Sequence, residues 1–212
     1  MNRTTYLVDG FNLYHSICQA AADLGNSSTK WLDLASLLSS ILAIVGGGAS
    51  LQEIYYFSAL ATHRDLHKPG VTMRHLLYLE CLRATGVKPV MGRFKAKRLR
   101  CGRCGGHYLR HEEKETDVAI SVKLLELLHL DSADTIVLVT GDTDLAPAVK
   151  TAARLFPSMQ VCFAFPYRRK NKELAQLVPK SFHIRKERYL ANQLPDPFIL
   201  PNGRVIPKPA GW

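Results

Sequence analysis

The sequence predicts an α/β protein in which a central, mostly parallel β-sheet lies between two layers of helices. Short apolar segments alternate with longer segments of helical periodicity, as in chains built from β-α units. The strand segments are apolar throughout, which is expected when helices cover both faces of a sheet. The 212 residues are 47% hydrophobic and 22% charged. A domain of this size and composition can bury a sizeable core without disulfides.

The first half of the chain alternates strands and helices that are separated by polar or glycine-rich breaks. Residues 26–28 separate the first two helices, glycines at 46–48 end the second, and Gly86 ends the third. The predicted elements are, in order, strand 4–8, helix 11–22, helix 31–45, strand 53–60, helix 70–84 and an extended segment at 87–90.

The second half continues this alternation after a basic insertion at about 91–111. The predicted elements are helix 115–129, strand 135–140, helix 143–155, strand 160–165 and a short helix near 172–178. Residues 191–212 hold five of the eleven prolines and show no helical or strand period. We therefore expect residues 1–190 to form the domain. We expect residues 191–212 to be a Pro-rich extension, an extended arm that packs on a neighbour or stays mobile.

Several classes of protein are disfavoured by what the sequence lacks. No apolar run reaches the ~18 residues of a membrane-spanning helix, so we expect no membrane partner. The first residues, MNRTTYLVDGFN, contain no apolar stretch typical of a secretion signal. The five cysteines are an odd number, and three of them lie singly in apolar segments. These features favour a cytoplasmic protein with reduced thiols.

The net charge of +10 is concentrated in two segments. Residues 91–111 carry seven Lys/Arg and no acid, and residues 164–188 carry eight Lys/Arg against two Glu, which leaves the rest of the chain at −3. Such clustering favours a polyanionic partner, nucleic acid, over the alternative of a merely solvated surface. The candidate contacts to nucleic acid are Lys95, Lys97, Arg98, Arg100, Arg168, Arg169 and Lys170.

Acidic residues follow two predicted strands and open one predicted helix. Asp9 follows the first strand, and Asp142 and Asp144 follow the strand at 135–140. Asp117 opens the helix after the basic insertion. Ligands of open α/β sheets bind beyond the carboxyl ends of the strands, so these acids can converge on one crevice. Clustered carboxylates repel one another unless a cation neutralises them, and oxygen ligands select Mg²⁺ or Mn²⁺.

Each of these acids has an alternative role, because Asp at a strand-to-helix junction is often only a helix N-cap. This alternative is strongest for Asp144, which begins a predicted helix. It is weakest for Asp9, which follows the apolar run Tyr6-Leu7-Val8 and precedes Gly10. Asn12, three residues after Asp9, is a candidate polar support for the same crevice.

Four ordered segments carry a family resemblance. They are 6–12 (YLVDGFN), 112–118 (EEKETDV), 139–147 (VTGDTDLAP) and 163–166 (FAFP) with the basic residues at 168–170. Together they resemble the NYN domain family, in the LabA-like branch of the PIN-like nucleases, over about residues 4–185. The resemblance implies a PIN-like three-layer α/β/α fold and metal-dependent cleavage of RNA. It also implies that the metal ligands and catalytic acids are Asp9, Asp117, Asp142 and Asp144.

The basic insertion contains a second candidate metal site. Its pattern is C-x2-C-x2-H-x3-H, formed by Cys101, Cys104, His107 and His111. Two thiolates at this spacing can point at one ion, which indicates a structural Zn²⁺ site. The spacing is tighter than in usual zinc fingers, so a free dithiol and a disulfide formed on oxidation remain alternatives. Arg100 and Arg103 are expected to lower the thiol pKa values.

Two functions from different classes fit these features. The first is a Mg²⁺- or Mn²⁺-dependent ribonuclease that cleaves single-stranded or structured RNA, by endonucleolytic or exonucleolytic action. The second is a non-cleaving RNA-binding regulator that keeps the acidic crevice. Serine hydrolase, NTPase and dinucleotide motifs do not occur, and Asp-Gly-Phe-Asn after the first strand disfavours toprim and phosphatase enzymes. The tail and the short exposed helices are compatible with a homodimer.

Overall fold

The computed structural model describes residues 2–212 and confirms the predicted α/β fold class. Its strands are β1 (Asn2–Asp9), β2 (Ala49–Ser58), β3 (Lys88–Met91), β4 (Arg93–Arg100), β5 (His107–Lys114), β6 (Thr135–Val139), β7 (Gln160–Phe165), β8 (Phe182–His183), β9 (Phe198–Ile199) and β10 (Val205–Ile206). Its helices are α1 (Gly10–Asp23), α2 (Leu34–Ser40), α3 (Leu42–Val45), α4 (Val71–Ala84), α5 (Thr116–His129), α6 (Ala146–Leu155), α7 (Lys172–Leu177) and α8 (Lys186–Ala191).

Six strands form the central sheet in the order β3-β2-β1-β6-β7-β8, and every neighbouring pair is parallel. Alternate residues of β1 enter two different cores, as the pleat of a strand requires. Tyr6 and Val8 pack with α1, α2 and α4 on one face, whereas Leu7 packs with α5 and α6 on the other. The sheet is thus the middle of three layers. Because β1 and β6 are central neighbours, their carboxyl ends meet at one edge.

The predicted helix at 31–45 is two shorter helices. Asp33 caps α2, because its side chain accepts a hydrogen bond from the Ser36 backbone N–H at 2.9 Å. Ile41 then leaves helical geometry, with φ −107° and ψ 1°, and separates α2 from α3. The predicted helix at 143–155 likewise begins as a short 3₁₀ turn, Thr143–Leu145, before α6.

The basic insertion is an antiparallel hairpin that stands apart from the central sheet. Its strands β4 and β5 pair without interruption from Arg93–Lys114 at the base to Arg100–His107 at the tip. Most of its side chains are exposed on both faces. Such a hairpin buries too little apolar surface to leave a period-2 pattern in the sequence, so no element was predicted there.

The prediction of an extended or mobile arm at 191–212 is wrong, because this segment packs on the body of its own chain. Its buried residues join the core on the α1 side of the sheet, and they are Leu194, Phe198, Leu200 and Ile206. Leu194 donates a backbone hydrogen bond to the carbonyl of Trp31 at 2.8 Å, and the Trp31 ring N–H donates to the carbonyl of Pro195 at 3.1 Å. Strands β9 and β10 form a small antiparallel pair in the same segment. Across residues 2–212, no helix combines the length and the apolar character needed to cross a bilayer.

Candidate metal and catalytic site

Asp9 lies at the carboxyl end of β1 and is almost fully buried, with 4% of its surface exposed. One carboxylate oxygen accepts hydrogen bonds from the backbone N–H groups of Phe11 (3.1 Å) and Asn12 (2.9 Å). Asp9 is therefore the N-cap of α1, although the sequence argued against a cap most strongly at this position. The other oxygen accepts a hydrogen bond from the Thr140 hydroxyl at 2.8 Å. These bonds fix the carboxylate at the sheet edge.

Asp142 lies three residues beyond β6, beside the end of β1. Its backbone N–H donates to Thr140 Oγ1 at 3.1 Å, and its own carboxylate accepts from the Asp144 backbone N–H at 3.0 Å. The same Thr140 hydroxyl thus contacts Asp9 and the backbone of Asp142. Parallel pairing of β1 and β6 brings the two acids together across more than 130 residues of chain.

Asp117 reaches the same edge from the first turn of α5. One carboxylate oxygen from each of Asp9, Asp117 and Asp142 lies within 4.8 Å of the other two. We call these three residues the acidic trio. None of them forms an ion pair with a Lys or Arg within residues 2–212. Residues 2–212 therefore supply no salt bridge to offset their mutual repulsion.

This arrangement raises the pKa of two members of the trio. Burial is the largest cause of the raised pKa of Asp9, with smaller opposing effects from its hydrogen bonds. Burial, followed by the charges of Asp142 and Asp9, raises the pKa of Asp117 to about 6. A divalent cation bound by the trio would offset both effects, since it favours the ionised carboxylates.

Asp144 and Asn12 lie beside the trio in different ways. Asp144 is exposed, and it is not among the three acids whose oxygens converge. Asn12 stays close, because its side-chain oxygen accepts a hydrogen bond from the Gly141 backbone N–H at 3.1 Å. This bond ties the start of α1 to the loop that carries Asp142.

The trio forms the floor of a cavity of about 180 Å³, which we call the acidic pocket. Its other lining residues are Phe11, Asn12, His15, Glu113, Thr116 and Arg169. Glu113 was not predicted as a site residue, although it lies in the same segment as Asp117. Its carboxylate accepts hydrogen bonds from the hydroxyl and, at 3.2 Å, the backbone N–H of Thr116. Glu113 thereby holds the start of α5, and with it Asp117, against the hairpin.

The three basic residues after β7 have separate environments. Arg169 lines the acidic pocket. Arg168 instead points at Asp23 on α1, with an N–O distance of 3.0 Å, and lies over the Tyr167 ring. Lys170 is exposed. The loop is fixed by close packing, because a Cβ added to Gly141 would clash with the carbonyl oxygen of Arg169.

The hairpin presents one face to the body and one to solvent. Phe94 packs edge-on against Phe11 at 5.6 Å, and His111 stacks on His63 at 4.0 Å, which defines the inner face. Paired residues share a face and faces alternate along each strand. Arg98 and Arg100 therefore belong to the inner face with Phe94. Lys95 and Lys97 belong to the outer face.

The four predicted zinc ligands are not brought together. Cys101 and Cys104 lie in the turn between the hairpin strands, where the backbone N–H groups of Cys104 and Arg103 lower the pKa of Cys101. His107 pairs with Arg100 next to this turn, whereas His111 pairs with Ala96. The two histidines are four residue steps apart along the strand, a distance of about 13 Å. The turn therefore holds a cysteine pair, and backbone donors rather than arginine charges are the main cause of the shifted pKa.

The parallel three-layer fold and the acids at its carboxyl edge define the class of PIN-like proteins. The NYN domain family model matches residues 3–183, and the chain belongs to the NYN domain family. This family is one of PIN-like nucleases, as the sequence resemblance predicted.

A solved structure shares the fold. It is the crystal structure of a protein of unknown function from Vibrio parahaemolyticus RIMD 2210633, with a TM-score of 0.53 and 16% sequence identity. The match covers 87% of this chain and 93% of the other. No curated protein matches this chain.

Proposed function

We propose that this protein is a divalent-metal-dependent ribonuclease whose acidic trio holds Mg²⁺ or Mn²⁺. The observation that carries the proposal is the convergence of Asp9, Asp117 and Asp142 within 4.8 Å, without an ion pair from the described part of the chain. Membership of a PIN-like nuclease family supports the same reading. An all-carboxylate ligand set suits hard cations such as Mg²⁺ and Mn²⁺. When bound, such an ion activates water for attack on phosphorus and stabilises the leaving oxygen.

The surrounding residues have separate roles in this proposal. Arg169 contacts the phosphate of the strand from the wall of the acidic pocket. Asn12 holds the Asp142 loop in place through Gly141. Asp144, exposed beside the trio, orients water at the mouth of the pocket. Positively charged groups on the hairpin and at Lys170 attract the rest of the RNA strand.

The test is cleavage of labelled single-stranded and structured RNA with Mn²⁺, Mg²⁺ or EDTA. We expect cleavage with a divalent metal, none in EDTA, and none from Asp9→Asn, while this variant still binds RNA. Glu187→Gln is the matched control, because it removes an exposed acid on α8, far along the chain from the trio. Unchanged cleavage by Asp9→Asn would refute the assignment. RNA binding with no cleavage in any metal would favour the non-cleaving regulator instead.

Four finer assignments stay predictions from the sequence. They are the LabA-like branch, a cytoplasmic location, a homodimer and a structural Zn²⁺ ion at Cys101 and Cys104. The zinc prediction now requires ligands other than the pair His107 and His111 acting together, since the hairpin holds these two apart.

A further inference from the structure

A second and larger cavity adjoins the acidic pocket. It has a volume of about 560 Å³, within the range of ~300–1,000 Å³ typical of sites for small organic ligands. Phe11, His15 and Glu113 line both cavities, so the two are direct neighbours. We call this larger cavity the aromatic cleft, because six of its lining residues are Phe11, Tyr14, Tyr56, Tyr78, Phe94 and Trp212.

Rings enter the cleft from five parts of the fold: α1, β2, α4, the hairpin and the segment after β10. Tyr14 lies on α1, with 42% of its surface exposed. Tyr56 and Tyr78 are buried and lie edge-on to each other at 6.4 Å. Trp212, from the segment after β10, packs against Tyr78 at 5.5 Å. Because Tyr56, Tyr78 and Trp212 pack on one another, these three rings have little rotamer freedom left to lose when a flat ligand enters the cleft.

The charge of the cleft is strongly one-sided. Its cationic lining residues are Lys30, Arg64, Lys68 and Arg74. Glu113 is the one acid among the described residues that line it, and Glu113 lies at the border with the acidic pocket. Ser58 Oγ and His75 Nε2, 3.5 Å apart, add polar groups at the wall. The cleft thus offers ring faces for a flat group, hydrogen-bonding atoms for its edge, and cations for an attached phosphate.

We propose that the aromatic cleft binds an unpaired nucleotide of the same RNA strand that the acidic pocket cleaves. Bases stack on aromatic side chains while Lys and Arg contact the backbone, which is how proteins hold single strands. A paired base is not free to enter the cleft, so the enzyme selects single-stranded RNA. This proposal rests on the proposed function, because it takes RNA to be the substrate of the adjoining pocket.

The first experiment measures RNA affinity in EDTA, where cleavage does not interfere. The probes are an oligouridylate, the same oligomer with abasic positions, and an RNA duplex of equal length. Tyr14→Ala should weaken oligouridylate binding roughly 5- to 150-fold, the range for loss of one stacked base. Tyr14→Phe should restore it, since the ring is what stacks. The abasic oligomer should bind wild type and Tyr14→Ala equally, and the duplex should bind more weakly than the single strand.

The cationic residues that line the aromatic cleft are tested with two matched variants on one helix. Arg74→Ala removes a cleft cation of α4, and Arg83→Ala removes an exposed arginine from the last turn of the same helix. Arg74→Ala should lower the slope of log affinity against log salt by about 0.7, as expected for one lost phosphate contact. Arg83→Ala should leave the slope unchanged. Thermal unfolding of both variants separates loss of binding from loss of fold.

Tryptophan fluorescence gives a direct signal from the cleft. The chain has two tryptophans, and Trp31 is fully buried whereas Trp212 lines the cleft. Oligouridylate should quench the emission of wild type, and Trp212→Phe should abolish that quenching without loss of fold. Equal quenching by an abasic oligomer, or equal affinity of Tyr14→Ala for oligouridylate, would overturn the proposal.

The two proposals fail in distinguishable ways. If Asp9→Asn stops cleavage but the cleft variants bind like wild type, the ribonuclease stands and the nucleotide cleft is wrong. If no metal supports cleavage but Tyr14→Ala loses affinity for single strands, the cleft stands and the nuclease assignment is wrong. Saturation of the cleft by an apolar peptide, with no response to oligouridylate, would assign it to a protein partner.

Discussion

Thr140 donates a hydrogen bond from its hydroxyl to the Asp9 carboxylate at 2.8 Å, across 131 residues of sequence. The same hydroxyl oxygen accepts the backbone N–H of Asp142 at 3.1 Å. Thr140 is 1% exposed, so neither bond is shared with bulk solvent. One side chain therefore fixes the distance between two members of the acidic trio.

Replacing this hydroxyl should weaken both the fold and the site. Thr140→Val keeps the shape but leaves an oxygen of Asp9 and the N–H of Asp142 without their partner. We expect a loss of about 1–3 kcal/mol in the free energy of unfolding, measured in urea, and lower cleavage. Thr5→Val is the matched control in β1, because the Thr5 hydroxyl is buried without a partner among the described residues. It should be neutral or stabilising; equal losses in the two variants would contradict this role of Thr140.

The Asp142 loop should not tolerate a side chain at Gly141. Gly141→Ala places a Cβ that clashes with the Arg169 carbonyl oxygen and must displace the loop after β7. We expect a loss of about 1–3 kcal/mol in stability, with cleavage lost because Arg169 and Asp142 move apart. Gly47→Ala is the control, since nothing lies within 4 Å of its added Cβ. Urea unfolding and cleavage rates measure both effects. A Gly141→Ala variant with the stability and cleavage rate of wild type would refute the packing argument.

Asp117→Asn should remove activity yet stabilise the metal-free protein. The folded-state pKa of Asp117, about 6, is above its ordinary value of 3.8, so the ionised group opposes folding at neutral pH. This cost is present above pH 6 and disappears as the pH falls from 6 to below 3.8, where the carboxyl is protonated in both states. After allowance for solvent screening, we expect a gain of order 1 kcal/mol at pH 7 in EDTA.

The measurement is thermal unfolding as a function of pH, with and without Mn²⁺. Wild type should gain stability on Mn²⁺ addition, because an ion that binds only the folded state stabilises it by mass action. Asp117→Asn should lose most of that gain, and Asp144→Asn should lose less because Asp144 lies outside the trio. If Asp117→Asn were less stable than wild type in EDTA at pH 7, the electrostatic explanation of its stability would be contradicted.

The two faces of the hairpin should differ in their contribution to RNA binding. The double variant Arg98→Ala/Arg100→Ala removes two charges from the inner face, and Lys95→Ala/Lys97→Ala removes two from the outer face. Because Phe94 and Glu113 of the inner face line the aromatic cleft, we expect the arginine pair to lower single-strand affinity and the salt slope more. Filter binding over a salt series measures both. Equal losses would indicate a non-specific charge effect.

The sequence predicted the part of the site whose geometry is decided by strand order alone. Asp9 and Asp142 follow apolar strands that had to lie in one parallel sheet, so their convergence follows from the fold. Asp144 is only two residues from Asp142, but the 3₁₀ turn directs it to solvent, and spacing alone does not reveal such a turn. Arg168 was predicted to contact RNA, but it pairs with Asp23, a residue that only the tertiary structure brings near.

The features that the sequence did not predict were missed for one physical reason. The aromatic cleft draws residues from α1, β2, α4, the hairpin and the segment after β10, so no local motif contains it. The segment at 191–212 is rich in proline and has no period, yet its apolar residues are buried one at a time against Trp31 and its neighbours. Burial of this kind depends on the shape of the underlying surface rather than on a repeating pattern.

The base of the hairpin is closed by the close approach of Gly92 to Lys114 and Thr116, where an added Cβ would meet their atoms at 2.9 and 3.0 Å. This close approach at the base of the hairpin thus fixes the position at which the chain enters α5. Two residues added or removed on each strand beyond Phe94 would change how far the hairpin extends from the body and leave Asp117 where it is. The length of the hairpin and the position of Asp117 in the acidic trio can therefore be altered independently in this molecule.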